Sequence, residues 1–173
     1  MSRAFVKESD DLSVEVPERL HSPHPNYVTP RGLAALKREE EELDAALAGL
    51  EAPGGATIAA DGKLVDRQAR AAVDRDLRYV RERIRRAILI DPATQPTDRV
   101  AFAAEVETLD DNDEQRRFEI VGEDEADPSI GRLSWFSPLA LALTDASVGD
   151  VVTWKRPTGN LELEIRSIRY PQS

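Results

Sequence analysis

The sequence predicts an α+β fold: an N-terminal antiparallel coiled-coil hairpin followed by a small β-sheet domain with one short helix. Two observations lead to this prediction. Apolar residues recur at helical spacing in two stretches, which the helix breaker Pro53-Gly54-Gly55 separates. After residue 97 the spacing of apolar residues changes to two, the period of a half-buried strand.

The hairpin is predicted to begin at Thr29-Pro30, where a hydroxyl occupies the N-cap and a proline the first helical position. The apolar seam of the first helix consists of Leu33, Leu36, Leu43, Leu47 and Leu50. The second helix, which Pro92 closes, has the equivalent seam Val73, Leu77, Val80, Ile84 and Ile88. Two narrow seams joined by a short breaker bury each other when the helices pack antiparallel. We call residues 28–92 the finger; arms of roughly 20 residues would make it about 30 Å long.

Charges on the two arms agree with this pairing. The first arm has an acidic block of Glu39, Glu40, Glu41, Glu42 and Asp44. The second arm is rich in arginine, with Arg67, Arg70, Arg75, Arg78, Arg81, Arg83, Arg85 and Arg86. Opposite charges beside the seam favour one partner and one orientation, so we expect these arginines to neutralise the first arm. The alternative is that some of them face RNA or an acidic surface of a partner.

Residues 97–171 are predicted to form the sheet domain. A first strand is expected from the alternation of Val100, Phe102, Ala104 and Val106, a second over 117–121 and a third around 133–136. Ser137-Pro138 then caps and opens a short helix that runs to Leu143. Two further strands are expected, over 151–154 and 161–170, and a slip in alternation before Ile168 predicts a β-bulge. Trp135, Phe136 and Trp154 are predicted to be core aromatics, or, for one of them, an exposed interface anchor.

Composition narrows the classes of function. The chain has 173 residues and a formal net charge of −10, which argues against unaided binding of nucleic acid through its phosphates. It has no cysteine, apolar signal core or membrane-length apolar run, so we expect a soluble cytoplasmic protein without a membrane partner. Residues 1–27 have no clear period and are predicted to be an extended or disordered leader. Its His21 and His24 are interpreted as ordinary loop residues, because nothing nearby supplies further metal ligands.

Several motifs, in order along residues 27–170, resemble those of the bacterial Gre transcript cleavage factors. They are Tyr27-Val28-Thr29-Pro30-Arg31-Gly32-Leu33, Ile90-Asp91, Ile120-Val121-Gly122-Glu123-Asp124-Glu125-Ala126-Asp127, Ser137-Pro138-Leu139-Ala140, Val148-Gly149-Asp150 and Pro157-Thr158-Gly159. The resemblance implies that residues 97–171 form an FKBP-like domain. It also implies that this domain docks at the rim of the secondary channel of RNA polymerase while the finger reaches towards the active site. We therefore expect a monomer that contacts nucleic acid only indirectly, through the transcription complex.

The finger tip departs from the family pattern. In the family the tip carries Gly-Asp and, after two further residues, Glu-Asn, and the two carboxylates help to hold a second Mg²⁺ in the polymerase. An ungapped alignment backwards from Asp91 places alanine at both acidic positions, whereas one forwards from Val28 places Lys63 and Asp66 there. Asp61 and Asp66 are the nearest substitutes, but on a helix they would lie about 140° apart around the axis. We therefore expect no bound metal or cofactor, no enzymatic activity, and weak or absent stimulation of transcript cleavage.

Docking candidates lie in the sheet domain. The acidic loop residues Glu123, Asp124, Glu125 and Asp127, together with Ser137 and Pro138, are predicted to meet the polymerase. The acidic loop is otherwise interpreted as a solvated turn. Two other functions stay open: a regulator that binds a different protein through the FKBP-like domain, and a prolyl isomerase, which would need a deep aromatic pocket.

Overall fold

The computed structural model describes residues 16–51 and 60–171, and its fold is the predicted α+β arrangement. Helices α1 (Pro30–Glu51) and α2 (Ala60–Arg85) form the antiparallel hairpin. Thr29 caps α1 as predicted, because its Oγ1 accepts the backbone N–H of Gly32 at 3.0 Å. The breaker at residues 53–55 lies outside the described residues.

The seam between the helices is buried mainly near the root of the finger. Leu36 of α1 and Leu77 and Val80 of α2 are buried, and their packing is extended by the partly buried Leu33 and Ile84. Further from the root Leu47 is half-buried and Leu50 is exposed. Apolar burial therefore holds the helices together most strongly where the finger joins the rest of the molecule.

The root of the finger contains a two-stranded sheet that periodicity did not predict. Strand β1 (Asn26–Val28) pairs in parallel with β2 (Ala87–Leu89), and the N–H of Ile90 donates to the carbonyl of Val28 at 3.0 Å. The prediction that the helical seam continues to Ile88 is wrong, since α2 ends at Arg85 and Ile88 is 45% exposed. The β-branched Ile88 and Ile90 favour an extended backbone, and β1 supplies the pairing partner. Strand β1 also begins inside the predicted leader.

The second sheet contains five strands in the order β5-β4-β3-β7-β6. The strands are β3 (Glu105–Asp110), β4 (Gln115–Val121), β5 (Arg132–Ser134), β6 (Val151–Trp154) and β7 (Leu161–Arg169). Neighbouring strands are antiparallel except β4 and β5, which are parallel. The predicted bulge is present: Glu107 pairs with Ser167 but Thr108 pairs with Ile165, which leaves Arg166 unmatched.

Two predicted strand boundaries in this domain are wrong. Strand β3 begins at Glu105 and not at Val100, because the chain turns at Ala103, whose φ is 67°. Val100 is nevertheless buried in the core. Its backbone N–H donates to the carbonyl of Ala146, which follows the short helix, at 2.8 Å. The third strand, β5, ends at Ser134 and not at Phe136. At residues 100–104 the alternation of apolar residues therefore reflects burial beside a turn and not pairing in a strand.

The core of the sheet domain lies between the sheet and helix α3 (Pro138–Leu143). Ser137 caps α3 as predicted, accepting the N–H of Ala140 on its Oγ at 3.2 Å. The buried cluster includes Val106, Phe118, Ile120, Leu133, Leu139, Leu143, Leu163 and Ile165. Trp135 and Trp154 pack against this cluster, whereas Phe136 is exposed. Among the described residues, no helix is both long enough and apolar enough to cross a membrane.

Asp110, at the end of β3, predicts a pH dependence of stability. The backbone N–H groups of Glu114 and Asn112 donate to its buried carboxylate at 3.0 and 2.9 Å, and Arg116 lies 3.6 Å away. Hydrogen bonding from Glu114 above all, with the bond from Asn112 and the charge of Arg116, lowers the pKa of Asp110 although burial opposes this. A lowered folded-state pKa stabilises the fold above the ordinary aspartate pKa of about 3.9, and this contribution is lost as pH falls through the folded-state pKa.

We therefore expect Asp110→Asn to lower the free energy of unfolding at pH 7 and to flatten its decline below about pH 4. Urea unfolding at several pH values measures both effects. Asp111→Asn, in an exposed position of the same turn, is the matched control and should keep the wild-type slope. Parallel pH curves for wild type and Asp110→Asn would contradict the assignment.

Candidate functional site

The predicted tip residues lie at the start of α2. The backbone of Asp61, Lys63 and Asp66 belongs to the helix Ala60–Arg85, so the two aspartates are five residues apart on a helical backbone, about 140° around its axis. The alanines that the other alignment places at the tip, Ala56 and Ala59, lie outside the described residues. Within the described part of the chain, no group of three or more His, Asp or Glu side chains is arranged to hold a metal ion. The tip chemistry stays a prediction.

The acidic loop instead meets the root of the finger. Its first turn is a 3-10 helix, Glu123–Glu125, which brings the Glu125 carboxylate to the N-terminus of α1. Oε1 accepts the backbone N–H of Thr29 at 3.2 Å, and Oε2 accepts its hydroxyl at 2.7 Å. The Glu125 side chain is only 6% exposed. A carboxylate here satisfies an otherwise unpaired N–H and interacts favourably with the positive end of the helix dipole.

This contact completes a capping box from a distant part of the sequence. In an ordinary capping box the residue at the third helical position is Glu or Gln, and its side chain returns to the N–H of the capping residue. Here that position is Gly32, which has no side chain, and Glu125 makes the same bond. A Cβ on Gly32 would overlap Oε1 and Cδ of Glu125. The absence of a side chain at Gly32 therefore makes room for the carboxylate that replaces it.

Arg83 makes the corresponding contact from the second helix. Its side chain is 1% exposed, and its Nε donates to Asp124 at 2.7 Å while Nη2 lies 3.4 Å from Glu123. The carbonyl of Arg83 also accepts a 2.7 Å hydrogen bond from Nδ2 of Asn26. A buried guanidinium needs such partners, because an unpaired buried charge is costly. Arg83 therefore joins the sheet domain to α2 just before the helix ends.

The arginine-rich arm thus divides between two roles. Arg81 follows the prediction, since it pairs across the finger with Glu40 at 3.0 Å and Asp44 at 2.8 Å. Arg83 departs from it, because its carboxylate partners belong to the acidic loop and not to the first arm. Local patterns could not predict this pairing, because Arg83 and Asp124 are 41 residues apart. The available signal was the acidic loop itself, for which a solvated turn was one interpretation.

We call the contacts by which Glu125 and Arg83 join the finger to the sheet domain the junction. Arg31 links this junction to the surface of the sheet. Its Nη2 donates to Glu119 of β4 at 2.8 Å and lies 3.4 Å from Glu125. Partial burial lowers the pKa of Arg31, but hydrogen bonding and attraction to Glu119, together with the charge of Glu125, raise it overall. The guanidinium is therefore a fixed positive charge beside the two carboxylates.

The six docking candidates consequently differ in how they are occupied. Glu123, Asp124 and Glu125 contact the finger. Asp127 caps the 3-10 turn Pro128–Ile130, where it accepts the N–H of Ser129 at 3.0 Å. Ser137 caps α3, and Pro138 is its exposed first residue. Docking through these residues stays a prediction, and for Glu123, Asp124 and Glu125 it would compete with contacts inside the chain.

The sequence of this chain is similar to those of known transcription elongation factors. A family model described as "Transcription elongation factor, GreA/GreB, C-term" matches residues 95–170. A GreB of Neisseria meningitidis serogroup B is 35% identical over 153 residues, covering 84% of this chain and 94% of the relative. The chain belongs to the GreA/GreB family of transcription elongation factors.

A second relative and a solved structure are also similar to this chain. A GreA of Thermodesulfovibrio yellowstonii is 34% identical over 155 residues, covering 83% of this chain and 96% of the relative. Among solved structures, the GreA factor homolog 1 protein of Thermus thermophilus is 22% identical and covers 84% of this chain and 99% of that one. The TM-score between the two structures is 0.38.

The capping contact predicts opposite effects for two glycines of α1. Gly32→Ala should displace Glu125 and lower the free energy of unfolding by about 1–3 kcal/mol, the range for a buried donor left without its hydrogen-bond partner. Gly49→Ala, on the same helix, meets no atom within 4 Å and should raise stability by up to about 1 kcal/mol through helix propensity. Urea unfolding measures both variants. Equal changes in the two would show that Glu125 does not depend on the space at Gly32.

Substitution of Arg83 is predicted to lower the free energy of unfolding more than substitution of Arg81 on the same helix. Arg83→Met keeps an aliphatic side chain but leaves two partly buried carboxylates unpaired, so we expect a loss of roughly 3 kcal/mol. Arg81→Met removes a pair in which the arginine side chain is 52% exposed, and the loss should stay under about 1 kcal/mol. Urea unfolding at pH 7 compares them, and similar losses would contradict the assignment of Arg83 to the junction.

Proposed function

We propose that this GreA/GreB-family protein binds bacterial RNA polymerase as a monomer, enters its secondary channel with the finger and modulates elongation. In this proposal the sheet domain docks at the rim of the channel, and the chain itself is not an enzyme. Family membership supports a role in transcription elongation. The observation that carries the proposal furthest is the junction, because Glu125 and Arg83 join both helices of the finger to the sheet domain.

Such a junction suits a probe that must be inserted in one direction. Helix α1 has 22 residues, which corresponds to about 33 Å of helix. A rod of this length transmits a docking geometry to its far end only if its base is fixed. Contacts at the bases of α1 and α2 restrain both bending and rotation of the finger, and they bury one carboxylate and one guanidinium to do so.

We further propose that stimulation of transcript cleavage is weak or absent. Holding a second Mg²⁺ requires oxygen ligands that converge on one point. The family pair of tip carboxylates has no equivalent in either alignment, and Lys63 would repel the metal. Asp61 and Asp66 lie on a helical backbone, and positions five residues apart on a helix are separated by about 140° around its axis. The finger would therefore occupy the channel without assisting hydrolysis.

One assay on purified polymerase tests both parts. Stalled, backtracked complexes are incubated with an ordinary cleavage factor, with this chain, or with both, and RNA cleavage is followed by gel. We expect little cleavage with this chain alone and a dose-dependent loss of the ordinary factor's activity when both are present. Asp61→Ala/Asp66→Ala, as the control variant, should compete equally well.

Two outcomes would contradict the proposal. Robust cleavage with this chain alone, lost in Asp61→Ala/Asp66→Ala, would refute the loss of cleavage stimulation. Absence of both competition and direct binding to polymerase would refute the polymerase-binding role. The function would then be that of a regulator of a different protein.

A further inference from the structure

Residues 18–24 of the leader lie along the finger although they contain neither helix nor strand. Glu18 pairs with Arg78 of α2, with 2.7 Å between Oε1 and Nη2. Arg19 lies 3.6 Å from Asp76, measured from Nη1 to Oδ1. Both pairs are partly exposed, so each contributes little alone. They do show which face of the finger this segment follows.

The stronger contacts at this end involve Tyr79 of α2. The guanidinium of Arg19 lies 3.8 Å from the centre of the Tyr79 ring. The ring of His21 is stacked on Tyr79, with 4.8 Å between centroids and 3° between planes. Stacking and cation–π contacts of this geometry are attractive beyond the area that they bury. Two leader residues therefore anchor on one aromatic side chain of the finger.

The other end of the segment anchors on the sheet domain. The ring of His24 packs on exposed Phe136, with 3.5 Å between centroids, and meets the edge of Trp135 at 6.1 Å. Phe136 and Trp135 follow β5, so this anchor belongs to the sheet domain and not to the finger. The leader consequently contacts both sides of the junction before it enters β1.

The first half of the segment covers a hollow beside the Tyr79 anchor. Leu20 is 92% exposed, and the space beneath the segment is about 580 Å³. Leu36 and Glu39 of α1 line the hollow from one side, and Glu123 and Asp124 of the acidic loop from the other. Leu20, inside the first anchor, thus makes little contact, and the side chains of Arg19, His21 and His24 hold the segment.

We propose that residues 18–24 are a strap that braces the finger against the sheet domain, and that releasing either end loosens the junction between them. The strap acts in parallel with the contacts of Glu125 and Arg83. Because it depends on two anchors in series, loss of one anchor removes the whole effect. This inference does not depend on which partner the protein binds.

The backbone amide of Thr29 reports on the junction, since it donates to Glu125 of the sheet domain. Its hydrogen exchange, followed by NMR on the full chain, should accelerate about fivefold in Arg19→Ala/His21→Ala and equally in His24→Ala. The triple variant should exchange no faster than either of these. The amide of Ile120, which donates to the carbonyl of Ala104 at 2.9 Å inside the sheet domain, should keep its wild-type rate.

Leu20→Ala is the matched control, because it changes the same segment at its most exposed residue and should leave the Thr29 rate unchanged. An unchanged Thr29 rate in the anchor variants would overturn the proposal. So would an equal acceleration in Leu20→Ala, or multiplied effects in the triple variant, which would indicate independent local contacts. Equal acceleration at Ile120 would indicate general destabilisation and would also overturn it.

Discussion

The carboxylate of Glu125 at the N-terminus of α1 is the contact on which the arrangement of the molecule depends. A helix begins with N–H groups that have no partner inside it, and a buried one must find a partner elsewhere. Thr29 supplies one acceptor to its own helix, and Glu125 satisfies the N–H of Thr29 from the sheet domain. The finger can therefore begin at this point with its N-terminus satisfied only while the acidic loop lies against it. Gly122 permits this closeness, because a Cβ there would meet the carbonyl oxygen of Tyr27.

Arg83 adds a second constraint whose magnitude sets it apart from the many other ion pairs. Arg78, Arg81 and Arg85 of α2 are in exposed pairs, which are screened by water and salt and contribute little each. The Arg83 side chain is buried, so its attraction to Asp124 and Glu123 must offset a large desolvation cost. Such a pair is weak evidence for stability, but it fixes position, because the buried guanidinium depends on these two carboxylates. Glu125 fixes the base of the first helix and Arg83 the base of the second. Together these two contacts set the direction of the finger relative to the sheet domain.

Local patterns predicted much of the fold and little of the junction. The caps at Thr29 and Ser137, the turn-separated strands and the bulge before Ile168 depend on neighbours in sequence, and the structure contains all of them. The predictions for Ile88 and Val100 are wrong because apolar spacing alone does not distinguish the end of a helix from a short strand, or a strand from a buried turn. The pairing of Arg83 with Asp124 spans 41 residues, and that of Thr29 with Glu125 spans 96. Only Gly32, in the position where a capping box has Glu or Gln, hinted that the partner comes from elsewhere.

The division of charge along the finger separates positioning from chemistry. At the root, acidic and basic side chains bond to each other, so they are committed to holding the finger in place. The ion pairs of Arg81 continue this along the arms, where they hold the two helices together. The chemistry considered for the finger in the proposed function lies at its far end, where the sequence has a lysine and two aspartates five residues apart. Positioning and metal binding depend on different residues, so a chain can keep the first without the second. Within the function proposed above, this separation explains how a member of the GreA/GreB family would bind in the channel without stimulating RNA cleavage.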